Sequence, residues 1–75
     1  MPVKASEKTK RLFSLFKEAI QSEREAQSLY RQAAELCEDP TARRILEEFR
    51  RDEVRHEKAL MERYALLRAQ YKEAS

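Results

Sequence analysis

Apolar residues recur every three to four positions along both halves of this 75-residue chain. In the first half they run from Leu12 to Cys37, and in the second half from Ala42 to Tyr71. This spacing is helical, whereas the strict alternation expected of a half-buried strand is absent. The pattern therefore predicts two long amphipathic α-helices.

Asp39 and Pro40 mark the break between the two helical patterns. Proline disfavours helix at the residue before it and suits the first turn of a new helix, so we expect Asp39 to cap the second helix. Ser6 or Thr9 is the expected N-cap of the first helix. The predicted organisation is a single domain of residues 1–75, with helix 1 at about 7–38, a turn at 39–40 and helix 2 at about 41–72. Because the connection is short, the helices are expected to pack antiparallel.

Three polar residues interrupt the apolar faces of these helices. Glu23 lies in the middle of the face of helix 1, while Glu53 and His56 take two consecutive core positions on helix 2. Buried carboxylates are costly unless they are paired or bound to a cation. Glu23 lies 16 residues before Asp39, and Glu53 and His56 lie 13 and 16 residues after Pro40. Both sets are therefore roughly 20–24 Å from the corner, at the same level of an antiparallel hairpin.

These residues have the arrangement of a metal-binding half-site. A Glu-x-x-His pair on one helix, here Glu53 and His56, with a glutamate from the facing helix, here Glu23, is the ligand pattern of di-iron carboxylate four-helix bundles. The full pattern has four carboxylates and two histidines, and a two-fold dimer would supply the missing half. A chain of 75 residues also buries little core on its own. The sequence thus predicts an all-α hairpin that dimerises into a four-helix bundle, with Glu23, Glu53 and His56 as catalytic and metal-binding residues.

The neighbours of these residues have plainer interpretations. Tyr30, two turns after Glu23, is either a hydroxyl that supports a ligand carboxylate or an ordinary core aromatic. Asp52 and Glu57 flank the motif and are expected to be surface charges. A buried hydrogen-bonded cluster without a metal is the alternative for the three candidate ligands themselves.

Composition excludes several other functions. The chain has no Gly, which removes the Gly-rich loops that cradle phosphates. Its single cysteine, Cys37, cannot form an internal disulfide or a Cys-rich zinc site, and it fits the reducing cytoplasm. Sixteen Lys and Arg against fourteen Asp and Glu give a net charge of +2, too small to indicate a nucleic-acid partner. No apolar run approaches the roughly 20 residues of a membrane span, and no secretory signal precedes the helices.

Glu23, Tyr30 seven residues later and Glu53-Val54-Arg55-His56 thirty residues after Glu23 resemble the ferritin-like superfamily. The closest likeness is to its two-helix members, the encapsulated ferritins and rubrerythrin-like half-bundles. The resemblance implies a homodimer with a di-iron site at its interface, and further assembly into an annular oligomer. It also implies ferroxidase activity, in which dioxygen oxidises Fe(II) for iron storage or detoxification. Glu23, Glu53 and His56 match the iron ligands of the family, and Tyr30 matches the aromatic residue beside them.

The resemblance also makes an encapsulin shell a candidate partner, in a cytoplasmic nanocompartment. Residues 71–75 show no obvious shell-targeting peptide. Zinc and manganese suit the same ligands as iron. Two alternatives stay open: a metal-binding or structural helical assembly without enzymatic activity, and a rubrerythrin-like di-iron protein that reduces peroxide.

Overall fold

A computed structural model describes residues 3–72 as a hairpin of two antiparallel helices. Helix α1 covers Glu7–Leu36 and helix α2 covers Pro40–Gln70. At the open end, strand β1 (Val3–Lys4) pairs in parallel with strand β2 (Tyr71–Lys72), with Val3 opposite Tyr71. The predicted all-α two-helix hairpin is confirmed, with this two-residue strand pair as an addition.

Side-chain caps start both helices. The hydroxyl of Ser6 accepts a hydrogen bond from the backbone amide of Thr9 at 3.1 Å. The carboxylate of Asp39 accepts one from the amide of Ala42 at 2.9 Å, and Pro40 occupies the first turn after it. Ser6, rather than Thr9, is therefore the first cap, and the expected cap at Asp39 is confirmed. These caps satisfy amides that have no partner inside the helix.

Both helices end earlier than the apolar pattern indicates. Helix α1 ends at Leu36 rather than at residue 38, because Cys37 leaves the helical region (φ −81°, ψ 122°). The guanidinium of Arg43 donates two hydrogen bonds, of 3.1 and 2.5 Å, to the carbonyl of Cys37. Helix α2 ends at Gln70 rather than at 72, because Tyr71 is extended and pairs with β1. Both helix ends therefore depend on contacts with other segments of the chain. The apolar pattern within each helix does not predict such contacts.

The buried core is small, and all of it except Ala5 lies on α1. It consists of Ala5, Phe13, Ile20 and Ala34. Near the open end, Phe13 meets Tyr64 edge-on with ring centroids 5.8 Å apart, and Phe16 stacks on Tyr64 at 6.0 Å. No residue of α2 is buried. One helix can cover only one side of another, so a lone hairpin leaves much of each apolar face in water.

Nine large apolar side chains are exposed within residues 3–72. They are Leu12, Leu15, Leu29, Leu36, Ile45, Phe49, Val54, Met61 and Leu66. Neither described helix combines the length and the apolar character that crossing a bilayer requires.

Candidate metal centre

Glu23 of α1 meets Glu53 and His56 of α2 near the middle of the hairpin. Each residue offers one ligand atom, and these atoms all lie within 4.8 Å of one another. Nδ1 of His56 is 3.5 Å from Oε2 of Glu23 and 3.6 Å from Oε2 of Glu53. The antiparallel packing thus brings together the three residues that the sequence places at the same distance from the corner.

The three side chains differ in their exposure to solvent. Those of Glu23 and Glu53 are 22% and 20% exposed, whereas that of His56 is 57% exposed. The predicted core position of His56 is therefore wrong for the single hairpin, because α1 covers the Glu53 side of α2 and leaves the His56 side open. The cluster consequently opens toward solvent through His56.

The surroundings of one carboxylate oxygen of Glu23 indicate whether the cluster fits a metal ion. Oε2 of Glu23 is buried and accepts no hydrogen bond from the described residues, and Nδ1 of His56 lies 3.5 Å from it. Desolvating such an oxygen is costly unless a donor or a cation compensates it. Two carboxylates and an imidazole are ligands that suit iron, manganese and zinc. The residues therefore fit a divalent cation, and their role as ligands stays a prediction.

Tyr30 makes no hydrogen bond to the cluster in the part of the chain that the structure describes. Its ring is tilted against that of Phe49, with centroids 5.7 Å apart. Phe49 precedes Glu53 by one helical turn. In the single hairpin, Tyr30 therefore packs as an aromatic residue against Phe49, which is the second of its two predicted roles; support of a ligand carboxylate stays a prediction.

Glu57 departs from its predicted role as a surface charge. Its Oε2 accepts a hydrogen bond from Nε of Arg24 at 2.7 Å, and its Oε1 accepts one from Nε2 of Gln27, also at 2.7 Å. Gln27 also donates to the backbone carbonyl of Glu53 at 3.5 Å. The sequence contains a sign of this network. Gln27 follows Glu23 by four residues and Glu57 follows Glu53 by four, so each lies on the same side of its helix as a candidate ligand.

These contacts change the acidity of Glu57. The hydrogen bond from Arg24 and then that from Gln27 hold the pKa of Glu57 below its ordinary value, although burial opposes them. Glu57 is therefore a carboxylate whose charge is compensated across the hairpin. Asp52, by contrast, pairs with Arg55 on its own helix and is the surface charge that was expected.

A family model of the ferritin-like domain matches residues 2–69, which is most of the chain. No match was found among curated proteins or among solved structures. The match agrees with a two-helix, all-α hairpin whose Glu-x-x-His pair faces a glutamate of the other helix. The chain belongs to the ferritin-like domain family.

Proposed function

We propose that two copies of this chain form a four-helix bundle that oxidises Fe(II) with dioxygen, in iron storage or detoxification. The observation that carries the proposal is the cluster of Glu23, Glu53 and His56 in a chain of the ferritin-like family. Fe(II) is the substrate. Two ferrous ions lose one electron each and become ferric, and dioxygen takes up both electrons with two protons from water to give hydrogen peroxide.

The number of ligands in one hairpin argues for a dimer. One chain supplies two carboxylates and one imidazole. Di-iron carboxylate bundles use four carboxylates and two histidines. A two-fold axis beside the cluster would double the set, because each residue of a two-fold interface occurs twice. The solvent-open side at His56, 57% exposed, leaves room for that second copy.

Apolar side chains flank the cluster on this open side. Toward the open end of the hairpin, a shallow groove of about 220 Å³ is lined by Leu12, Leu15, Phe16, Ala19 and Leu60. Toward the corner, Ile45 and Phe49 are 44% and 46% exposed. We call these seven residues the ligand-side stripe. Leu60 lies four residues after His56 and Ala19 four before Glu23, so the stripe continues the faces that carry the ligands. Burying such a surface stabilises association by about 25 cal/mol per Å².

The residues of the cluster would hold the substrate and balance its charge. Glu23 and Glu53 offset the positive charge of bound divalent ions, and His56 adds a neutral nitrogen donor. Bound iron supplies the electrons for the reduction of dioxygen. The half-buried carboxylates exclude bulk water from one side, while the exposed side at His56 gives ions and dioxygen a route in.

Substitution of one candidate ligand tests the proposal. Glu23→Ala removes the carboxylate that α1 contributes to the cluster. We expect the rate of Fe(II) oxidation in air, followed by ultraviolet absorption, to fall at least about 10- to 100-fold, the loss that follows removal of residues that merely support metal ligands. Glu25→Ala is the matched control, because Glu25 is an exposed carboxylate on the same helix that contacts Gln21.

Each outcome of this experiment separates the candidate functions. Undiminished oxidation by the Glu23→Ala variant would contradict the site. Tight metal binding by the unmodified protein without oxidation would favour the non-enzymatic metal-binding protein. Faster electron transfer to added peroxide than to dioxygen would favour the rubrerythrin-like reaction.

A further inference from the structure

Glu57 is a third carboxylate between the helices, and it lies outside the metal-binding cluster. Its side chain is 19% exposed, close to the 22% of Glu23 and the 20% of Glu53. It follows Glu53 by four residues, and side chains at this spacing lie about 5–6 Å apart at Cβ. By burial and position, Glu57 therefore resembles the two carboxylates that face His56.

Two side chains of α1 hold the carboxylate of Glu57 away from the cluster around His56. Nε of Arg24 donates to one carboxylate oxygen and Nε2 of Gln27 to the other, both at 2.7 Å. Gln27 is itself held by the carbonyl of Glu53 at 3.5 Å. Hydrogen bonds to an ionised carboxylate are stronger than neutral ones, and two donors on different oxygens fix its orientation. The ligand atoms that lie within 4.8 Å of one another belong to Glu23, Glu53 and His56, and Glu57 contributes none.

Stability alone is a weak explanation for this network. The side chain of Arg24 is 51% exposed. Ion pairs with an exposed partner contribute little to stability, because solvent screens the charges. The larger consequence of the network is the direction in which the carboxylate of Glu57 points.

We propose that Arg24 and Gln27 withhold Glu57 from the metal centre, and so keep the donor set at two carboxylates and one imidazole per chain. This inference rests on the proposed function, since it concerns the same site. A further carboxylate would fill a coordination position, whereas iron that reacts with dioxygen needs open positions. Arg24 and Gln27 are thus positioning residues that act through Glu57.

Co(II) binding tests this inference without the oxidation reaction. Visible absorption of Co(II) weakens as its coordination number rises from four to six, so it reports an added ligand. In an Arg24→Leu/Gln27→Leu variant, we expect weaker absorption per bound Co(II) and an affinity raised by about tenfold, the scale on which residues around metal ligands act. Adding Glu57→Gln to this variant should restore the absorption of the unmodified protein.

Matched controls come from the same helix. Arg31→Leu and Gln32→Leu remove the same residue types at exposed positions, where Arg31 pairs with Glu35 and Gln32 donates to Ser28. Both should leave the Co(II) spectrum unchanged. The single Gln27→Leu variant keeps the ion pair of Arg24 with Glu57, so it guards against a loss of folding in the double variant, and it should shift the spectrum in the same direction by a smaller amount.

Three results would overturn the inference. The first is an unchanged spectrum in the double variant, or in Gln27→Leu where the double variant does not fold. The second is a changed spectrum that Glu57→Gln does not reverse, because the change then comes from packing. The third is an unmodified protein that binds no Co(II), and this result would contradict the proposed function as well. Normal binding by the unmodified protein with unchanged variants would contradict this inference alone.

Discussion

Two glutamates separated by one turn of α2 have different partners. Glu53 faces His56 and Glu23, whereas Glu57 faces Arg24 and Gln27. At 3.6 residues per turn, positions i and i+4 differ by about 40° around the helix axis. That rotation turns the carboxylate of Glu57 away from His56 and toward Arg24. At the residue scale, the side chains of α1 therefore decide which partners each carboxylate has.

The lowered pKa of Glu57 predicts how stability depends on pH. A carboxylate whose pKa is depressed by folding stabilises the folded state above its unfolded pKa, and it loses this contribution as the pH falls through the folded pKa. We expect Glu57→Gln to destabilise the protein at pH 7. The difference from the unmodified protein should shrink as the pH falls below about 4.3, the ordinary value for glutamate.

Urea unfolding of both proteins at pH 7 and at pH 3 measures this difference in the free energy of unfolding. Glu48→Gln is the matched control for the loss of one charge, because Glu48 is exposed on the same helix and has no ion pair in the described part of the chain. A difference that is equal at both pH values would show that Glu57 contributes through packing and not through its charge.

The position of helix α2 is set by its N-terminal cap and by its contacts with α1, since none of its 31 residues is buried. Its N-terminus is fixed by the bond from the amide of Ala42 to Asp39, and the carbonyl that closes α1 is held by Arg43. The level of Glu53 and His56 relative to Glu23 follows from this corner, because the rise per residue counts from it. At the element scale, the corner therefore sets the register of the site.

Loss of the cap at Asp39 should destabilise the hairpin. We expect Asp39→Ala to lower the free energy of unfolding by about 1 kcal/mol, because the amide of Ala42 loses its partner. Urea unfolding at one fixed protein concentration measures the change, since the stability of an oligomer depends on concentration. Glu38→Ala, at the exposed neighbouring position, should have little effect. Equal stability of the two variants would show that the corner holds without the cap.

The whole hairpin is a rod of 54 × 16 × 15 Å, which is one helix pair thick. This shape has no room for an enclosed core, and the buried residues of the described chain number only four. The ligand-side stripe and the open side of the cluster lie together on one surface. At the scale of the molecule, the small core and the half set of candidate ligands are therefore two separate reasons for the second copy that we propose.

A charge in the ligand-side stripe should separate the copies. We expect Leu15→Glu to convert the dimer into monomers and to abolish Fe(II) oxidation. Leu15 is 43% exposed in the hairpin, and each leucine that a dimer buries contributes about 1.5–3 kcal/mol. Light scattering measures the mass, and ultraviolet absorption measures oxidation in air. Val54→Glu is the control, because Val54 is equally exposed at 44% but lies on the far side of α2 from His56. Oxidation by a monomeric Leu15→Glu variant would contradict the shared site.

Local features of the chain determined the two helices, their break at Asp39 and the common level of Glu23, Glu53 and His56. Caps, the proline and a helical period act over a few residues, so they can be read without knowing the fold. Because the three residues are equally far from the corner, an antiparallel hairpin is enough to bring them to the same level.

The tertiary structure alone decided which sector of each helix faces the other. Helical spacing groups residues on a face, but it does not say whether a partner covers that face. This is why His56 lies open rather than in a core, why Tyr30 packs on Phe49, and why Glu57 bonds to α1 instead of to solvent. The ends at Leu36 and Gln70 have the same origin, since Arg43 and strand β1 act on them across the fold. The sequence thus placed the candidate ligands along the hairpin, and packing decided how much of each one solvent can reach.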